Sequence, residues 1–388
     1  MRKIFWPLSF LLLNLTFAAH AVPLKRVSIA EFEQLLSEVK GQPEAKVAKL
    51  VSGLELTERA SAVRLARWES EFPGRHSQDA FTVLADSSAF YDLPAGETPA
   101  TAPPDTEAQK AILGKSIDYV QTTINRLPDF YATRKTENYQ DMLGRPGSFN
   151  RSSGQTSLAG LDPKVIPHEP LLDAGKSSLM VRYVDGREIL GTKKNDRSVG
   201  DPSNTLTTHG EFGPILVAIL DEAVKNKIYW GHWEQGTAGA IAVFRYWVQL
   251  GQSSYQVMIP QINRSEKVFP AYHGEIGIDP ATGAILRITV VADFAPPNQQ
   301  AASSILVEYG TVAIGGKSFI CPVHGVALAR FAVPDALGPV NRIDPVVATR
   351  FRTELNDVAF VEYHQFRGES RILVDNPIDT PEPPAPPK

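Results

Sequence analysis

The spacing of apolar residues changes once along the chain. Up to about residue 143 it follows the helical period, and from about residue 178 it follows a period of two. The first helical stretch, VSIAEFEQLLSEV, opens on Ser28 with Glu31 three residues on, the spacing of a capping box. Val27 and Phe32 stand where a hydrophobic staple needs them, and Gly41 and Pro43 end the run. LTERASAVRLARWESEF is expected to start at Thr57, to turn Leu65, Trp68 and Phe72 to one side, and to stop before Pro73-Gly74. HSQDAFTVLADSSAFY reads as a third helix. Residues 93–104, rich in Pro, Ala and Thr, read as an extended linker. Asp105 then caps a long helix reaching about Arg126, with Leu113, Ile117, Val120 and Ile124 in a stripe. FYATR at 130–134 follows a helix-ending Leu-Pro and reads as a strand or a joint against the second half. The polar, glycine-rich residues 144–177 are expected to form a connecting loop.

The second half is built of hairpins. Asp185-Gly186 sits between two short β runs, the strongest short-range hairpin signal. Asp279 to Gly283 and Gly315-Gly316 mark two further turns, and a Gly-Thr-Ala-Gly turn joins KIYWGHWEQ to AIAVFRYWVQL. A single helix over 212–226 interrupts the strands. The pattern predicts an α+β protein. A helical region (22–143) is followed by a large curved antiparallel sheet (178–375), an up-and-down meander shaped as a half-barrel. Residues 376–388, NPIDTPEPPAPPK, read as a disordered or extended Pro-rich tail.

Residues 1–21 carry a basic start (Arg2, Lys3), an apolar run too short to span a bilayer, and Ala19-His20-Ala21 as a small-x-small cleavage site. This is the pattern of a secretory signal peptide, so the mature chain is expected in the periplasm or secreted. No later stretch is long and apolar enough for a transmembrane helix. Loss of Arg2 and Lys3 with the leader takes the formal charge from −4 to −6. A nucleic-acid partner needs a basic face, which this balance disfavours. The lone Cys321 cannot form an internal disulfide. His324, three residues on, leaves a thiol–imidazole pair to weigh against a buried structural cysteine.

The hairpins GEIGIDPATGAILRI and VEYGTVAIGGKSFICPV, within the long-strand meander at 226–375, resemble the LolA/LolB-like family of envelope lipoprotein carriers. The resemblance covers less than half of the chain. It implies an exported protein with a curved antiparallel sheet around a helix-lidded apolar cavity. The helical-then-β layout as a whole also resembles secreted bacterial proteins, a likeness that implies no chemistry.

Two groups of residues are candidates for chemistry. His209/Glu211, His232/Glu234 and His273/Glu275 share one spacing, and Glu362/His364 reverses it. On a strand, residues two apart face the same side, so each pair can present an imidazole and a carboxylate together. The pairs fit either hydrogen-bonded partners at strand edges or a cation site, with His232, Glu234, His273 and Glu275 its candidate ligands. No cofactor is implied. The second group is aromatic: Trp230, Trp233, Phe244, Tyr246, Trp247 and Tyr255, with Tyr229 beside them. Strict alternation puts Trp230 with His232 on one face and Tyr229 with Trp233 on the other. Phe244 and Tyr246 oppose Arg245 and Trp247. These rings fit core packing, or a wall for an acyl or other apolar ligand. AGKSS (174–178) and GGKS (315–318) lack the earlier glycine of a P-loop, having Pro170 and Thr311 in its place.

The reading that follows is a non-catalytic envelope protein. It binds an apolar ligand, lipid or acyl-bearing, or a protein segment on its curved sheet. The alternatives are an envelope scaffold whose Pro-rich tail is a tether, and a metal-dependent hydrolase with a glutamate as base and a metal-bound water.

Overall fold

The computed structural model describes residues 24–123, 126–141, 169–191, 206, 208, 211–236, 239–261, 264–296, 298, 301–333 and 350–366. The leader, His209 and the Pro-rich tail lie outside the described residues, as does most of the loop expected over 144–177.

The chain begins with a small helical module. Strands β1 (Lys25–Val27) and β2 (Leu54–Leu56) pair in parallel. Around them lie α1 (Ile29–Glu38), α2 (Glu44–Val51), α3 (Ala62–Glu71) and α4 (Arg75–Ser87). The capping box of α1 forms: the Ser28 hydroxyl accepts from the Glu31 amide, and the Glu31 carboxylate accepts from the Ser28 amide at 2.8 Å. The stripes of α1, α3 and α4 meet at Phe32, Trp68 and Phe81, and the first two rings stand edge to face at 4.8 Å. Two boundaries differ from the sequence reading. The helix expected from Thr57 starts at Ala62, because residues 54–56 pair with β1 and the Thr57 amide bonds the Val27 carbonyl. The α2 helix, which starts directly after Pro43, was not expected.

After the linker comes α5 (Thr106–Thr123), capped by the Asp105 carboxylate on the Ala108 amide. The remaining strands are β3 (Phe130–Asp141), β4 (Leu171–Val184), β5 (Arg187–Gly191), β6 (Lys227–Gln235), β7 (Ala240–Val248), β8 (Val257–Gln261), β9 (Arg264–Val268), β10 (Ala271–Ile278), β11 (Ile285–Asp293), β12 (Ala302–Ile314), β13 (Lys317–Val333) and β14 (Arg350–Gln365). Ten of them form one antiparallel sheet in the order β5-β4-β3-β14-β13-β12-β11-β10-β7-β6, while β8 and β9 make a separate hairpin. FYATR is therefore the start of a strand in the middle of the sheet. The last residues of the stretch expected as loop, 171–177, belong to β4. The tight turns fall where the glycines predict them: Asp185, Gly186, Gly283, Gly315 and Gly316 all have positive φ.

The sheet stays open, with β5 and β6 as its edges. Helix α6 (Pro214–Lys225) lies between these two strands in the chain. It packs on one face of the sheet together with α5. Ile112 and Val120 of α5 and Leu216, Ile219, Leu220 and Ala223 of α6 close over Phe244, Tyr246, Tyr272, Ile276 and Ile288. The helical module covers part of the opposite face, where Val83, Ala89 and Phe90 meet Tyr139, Leu306, Val326, Leu328 and Leu355. Both faces of the central strands are therefore buried. Among the described residues no helix is long and apolar enough to cross a membrane.

Candidate functional site

The face under the helical module is not uniformly apolar. Alternation along the strands sends Phe244, Ile276, Ile288, Val307 and Val358 to the α5/α6 face. Their chain neighbours Arg245, Glu275, Arg287, Glu308 and Asp357 point the other way. Strand pairing sets these charges side by side: Arg245 opposite Glu275, Arg287 opposite Glu308, Glu308 opposite His324, Asp357 opposite Glu137, and Glu137 opposite Lys176. A charged row thus crosses the sheet beneath α4 and the loop after it.

One end of the row is an arginine–carboxylate lattice. The Arg287 guanidinium grips the Glu234 carboxylate with two bonds, 2.8 and 2.9 Å, and reaches Glu275 at 3.2 Å. Arg59 of the helical module bonds the same Glu234. His232 Nε2 lies 3.0 Å from Glu234 Oε1. Arg245 bridges Glu275 at 3.1 Å to Asp92 of the module at 2.5 Å. Burial alone would raise the Glu234 pKa, but the His232 bond and the charges of Arg287 and Arg59 outweigh it and hold the carboxyl well below its usual range.

The other end centres on His324. Its Nδ1 is 3.0 Å from Glu308 Oε2, its Nε2 is 3.0 Å from Asp357 Oδ1, and Asp86 Oδ1 of α4 lies 3.9 Å from the same Nε2. Asp86 is 4% exposed, and its Oδ2 has no hydrogen-bond partner. Burial, reinforced by the charges of Asp357 and Glu308, pushes Asp86 well above the ordinary carboxylate range, and His324 opposes the shift. For His324 burial works downward, yet the bonds to Asp357 and Glu308 and the nearby negative charges raise it to about 11.

The His-x-Glu pairs do not gather into one site. Glu234 and Glu275 converge, but on Arg287 rather than on each other's histidines. His273 turns to Asp293, 3.0 Å away. Glu211 sits beside the buried Arg134 and accepts from the Thr208 hydroxyl at 2.5 Å. Glu362 accepts from Thr133 at 2.7 Å, and His364 lies against the Tyr131 ring at 5.1 Å.

The aromatic group divides differently from strict alternation. Gly231 is the extra residue of a bulge, with Trp230 opposite Phe244 and His232 opposite Val243. A Cβ there would lie 2.9 Å from the Val243 carbonyl oxygen. The bulge returns Trp233 to the side of Trp230, and their rings meet edge to face at 4.9 Å. The expected pairings of Trp230 with His232 and of Trp233 with Tyr229 are thus overturned. Trp230, Trp233, Phe244, Tyr246 and Tyr255 all belong to the cluster under α5 and α6. The cleft beside it, lined by Tyr119, Leu127, Phe212, Leu216 and Tyr309, has about 20 Å³ of free space, roughly one water. Trp247 points to the opposite face and is 43% exposed, and Tyr229 is 50% exposed.

Cys321 and His324 lie on opposite faces: Cys321 is buried in the cluster with Phe130, Tyr183 and Phe360, and burial pushes its thiol up to about 12. Sequence reasoning passed over Asp86, Glu308, Asp357, Arg287 and Arg59. The available signal was a charged residue inside an otherwise apolar strand, as with Arg287 in ILRITVV. Compared with known proteins, the chain matches no family model, no curated protein and no solved structure.

Proposed function

We propose that this is an exported, non-catalytic binding protein that takes a partner's protein segment at the corner of its sheet not covered by the helical module. The observation that carries the reading is the pair Tyr229 and Trp247. Lys227 is opposite Trp247 and Tyr229 is opposite Arg245, so the two rings are diagonal neighbours on one face. Both are about half exposed, and Leu250, just past the end of β7, is 62% exposed. The Arg245–Asp92 bridge marks where the helical module stops. Exposed aromatic rings on a rigid sheet suit an anchor in a partner interface. His273, directly opposite Trp247, and Lys227 and Asp293 nearby add polar groups at its rim. The leader-like residues 1–21 support export.

The carrier reading, an acyl or lipid ligand against the α5/α6 face, is second. It rests on the resemblance to envelope carriers and on the number of rings there. An acyl chain would have to displace α5 or α6, because the rings pack on those helices and the cleft has room for about one water. A hydrolase using the His-x-Glu pairs has less support, since Glu234 and Glu275 are already held by arginines.

Photo-crosslinking in an export-competent host tests the proposal, with the crosslinking residue placed at 229 or 247 and a control at the exposed Val63 of α3. A single protein adduct, seen from both sheet positions, absent from Val63 and lost with Leu250→Asp, is the expected result. Equal adducts from all three positions would overturn it. A stoichiometric lipid mass on the purified protein, with no crosslink, would move the assignment to the α5/α6 face.

A further inference from the structure

The His324 cluster has features that a plain salt-bridge network does not need. The three arginines of the layer are matched by Glu234, Glu275 and Asp92. That leaves Asp86, Glu308 and Asp357 gathered on a single imidazole. Even with His324 protonated, three carboxyl groups share one cation, and the cluster comes near balance only with a proton on Asp86 or with a further cation. Asp86 is the most buried of them, and one of its oxygens is turned inward without a partner. A buried carboxylate oxygen left unpaired is costly unless a proton or a cation meets it.

The donor geometry distinguishes the two. His324 is held from behind: Glu308 takes the Nδ1 hydrogen, which leaves Nε2 facing Asp357 and Asp86. A carboxylate orienting a histidine through its far nitrogen is the arrangement that supports imidazole as a metal ligand. One ligand atom each from Asp86, His324 and Asp357 lies within 4.8 Å of the others. Ligands about 2.1 Å from a tetrahedral ion sit roughly 3.4 Å apart, so the three side chains need to close by only about 1 Å. They come from α4, β13 and β14, elements fixed by both cores. The His324 side chain is 33% exposed, which gives an ion a way in.

We infer that Asp86, His324 and Asp357 form a binding site for one divalent transition-metal cation of the Zn²⁺ or Mn²⁺ class, with Glu308 as a positioning residue behind the imidazole. One nitrogen and two carboxylate ligands suit a borderline-hard ion better than a thiolate-seeking one. Binding displaces the proton shared between Nε2 and Asp357, and the cation takes its place. The site would clamp the helical module to the sheet, because α4 supplies one ligand and the sheet two.

Titration calorimetry with ZnCl₂ and, separately, MnCl₂ on the chelator-stripped full chain tests this, together with metal analysis of the untreated protein. One equivalent bound at micromolar affinity or tighter is expected for at least one of the ions. Asp86→Asn and His324→Gln should each weaken it at least about 100-fold. Glu308→Gln should weaken it about 10- to 100-fold while leaving the metal-free melting temperature within a few degrees. Glu107→Gln, on an exposed turn of α5, should change nothing. Where a ligand variant fails to fold, the wild-type titration and Glu308→Gln still decide. No saturable binding of either ion by the folded wild-type chain would overturn the inference. So would stoichiometric binding that survives both His324→Gln and Glu308→Gln unchanged.

Discussion

Arg287 on β11 and Glu234 on the edge strand β6 meet in a two-bond, side-by-side contact across the two strands between them, and neither is left with water as its main partner. They are 53 residues apart in sequence. The contact is reinforced from the helical module by Arg59, so one carboxylate ties three elements of the chain together. A planar guanidinium matched to a carboxylate is strong as well as directional.

Removing Arg287 should therefore be costly. Arg287→Met keeps the volume and deletes the charge, which leaves Glu234 to Arg59 and His232 and Glu275 to Arg245. Breaking a buried pair in this way destabilises by about 3–5 kcal/mol. Urea unfolding followed by tryptophan fluorescence is the measurement. A loss below about 1 kcal/mol would mean that water reaches the pair and the layer is a surface network.

The same contact sets a pH dependence. Glu234 has its folded pKa held well below the unfolded value, so its contribution is fully present above the ordinary carboxylate range. It is lost as pH falls through that range toward the folded value. A single group of this kind makes stability fall by about 1.4 kcal/mol per pH unit over that window. Glu234→Gln should be less stable at neutral pH, and its stability should decline less steeply on acidification. Parallel curves for wild type and variant between pH 5 and roughly pH 3 would refute the assignment.

Features fixed by adjacent residues could be read from sequence, and features fixed by distant ones could not. Ser28 and Glu31 cap a helix because both partners lie within one turn. Gly283 and Gly315 mark turns because their backbone angles are uncommon for other residues. By contrast, the place of β3 between β4 and β14 depends on register with segments far along the chain. Its sequence FYATRKTENYQD looks half exposed because Arg134 and Thr136 sit among its buried positions. Strict alternation fails for the aromatic faces on β6 for a local reason, the bulge at Gly231, which reverses the alternation after it. The His324 cluster draws on residues 86, 308, 324 and 357, and no spacing rule links them.

Cys321 should be chemically silent in the folded protein. It lies among Phe130, Tyr183 and Phe360, and burial pushes its thiol up to about 12, far from the range of a working thiolate. A chromogenic disulfide reagent at pH 8 should modify it only at the rate of unfolding, and quickly in denaturant. Rapid labelling of the native chain would show that this core opens locally.

The glycine of HGEIG carries a structural duty that its neighbours do not. Gly274 lies on β10 between Tyr246 on β7 and Thr289 on β11. The Tyr246 hydroxyl crosses over it to donate to the Thr289 carbonyl at 2.7 Å. A Cβ at 274 would come within 1.9 Å of that carbonyl oxygen and 2.9 Å of the hydroxyl. Since the first of these is backbone in a central strand, no side-chain rotation relieves it. Gly274→Ala should therefore destabilise by about 3 kcal/mol or more, at the upper end for an overpacked core. Tyr246→Phe should cost only about 1–2 kcal/mol, the worth of one buried bond and the carbonyl it leaves unmet. In Tyr246→Phe the alanine should still be poorly tolerated, because the clash with the Thr289 carbonyl remains. If Tyr246→Phe instead restored Gly274→Ala to near its own stability, the glycine would be present for the tyrosine hydroxyl and not for the backbone of β11. Melting temperatures of the two single variants and the double variant separate these outcomes.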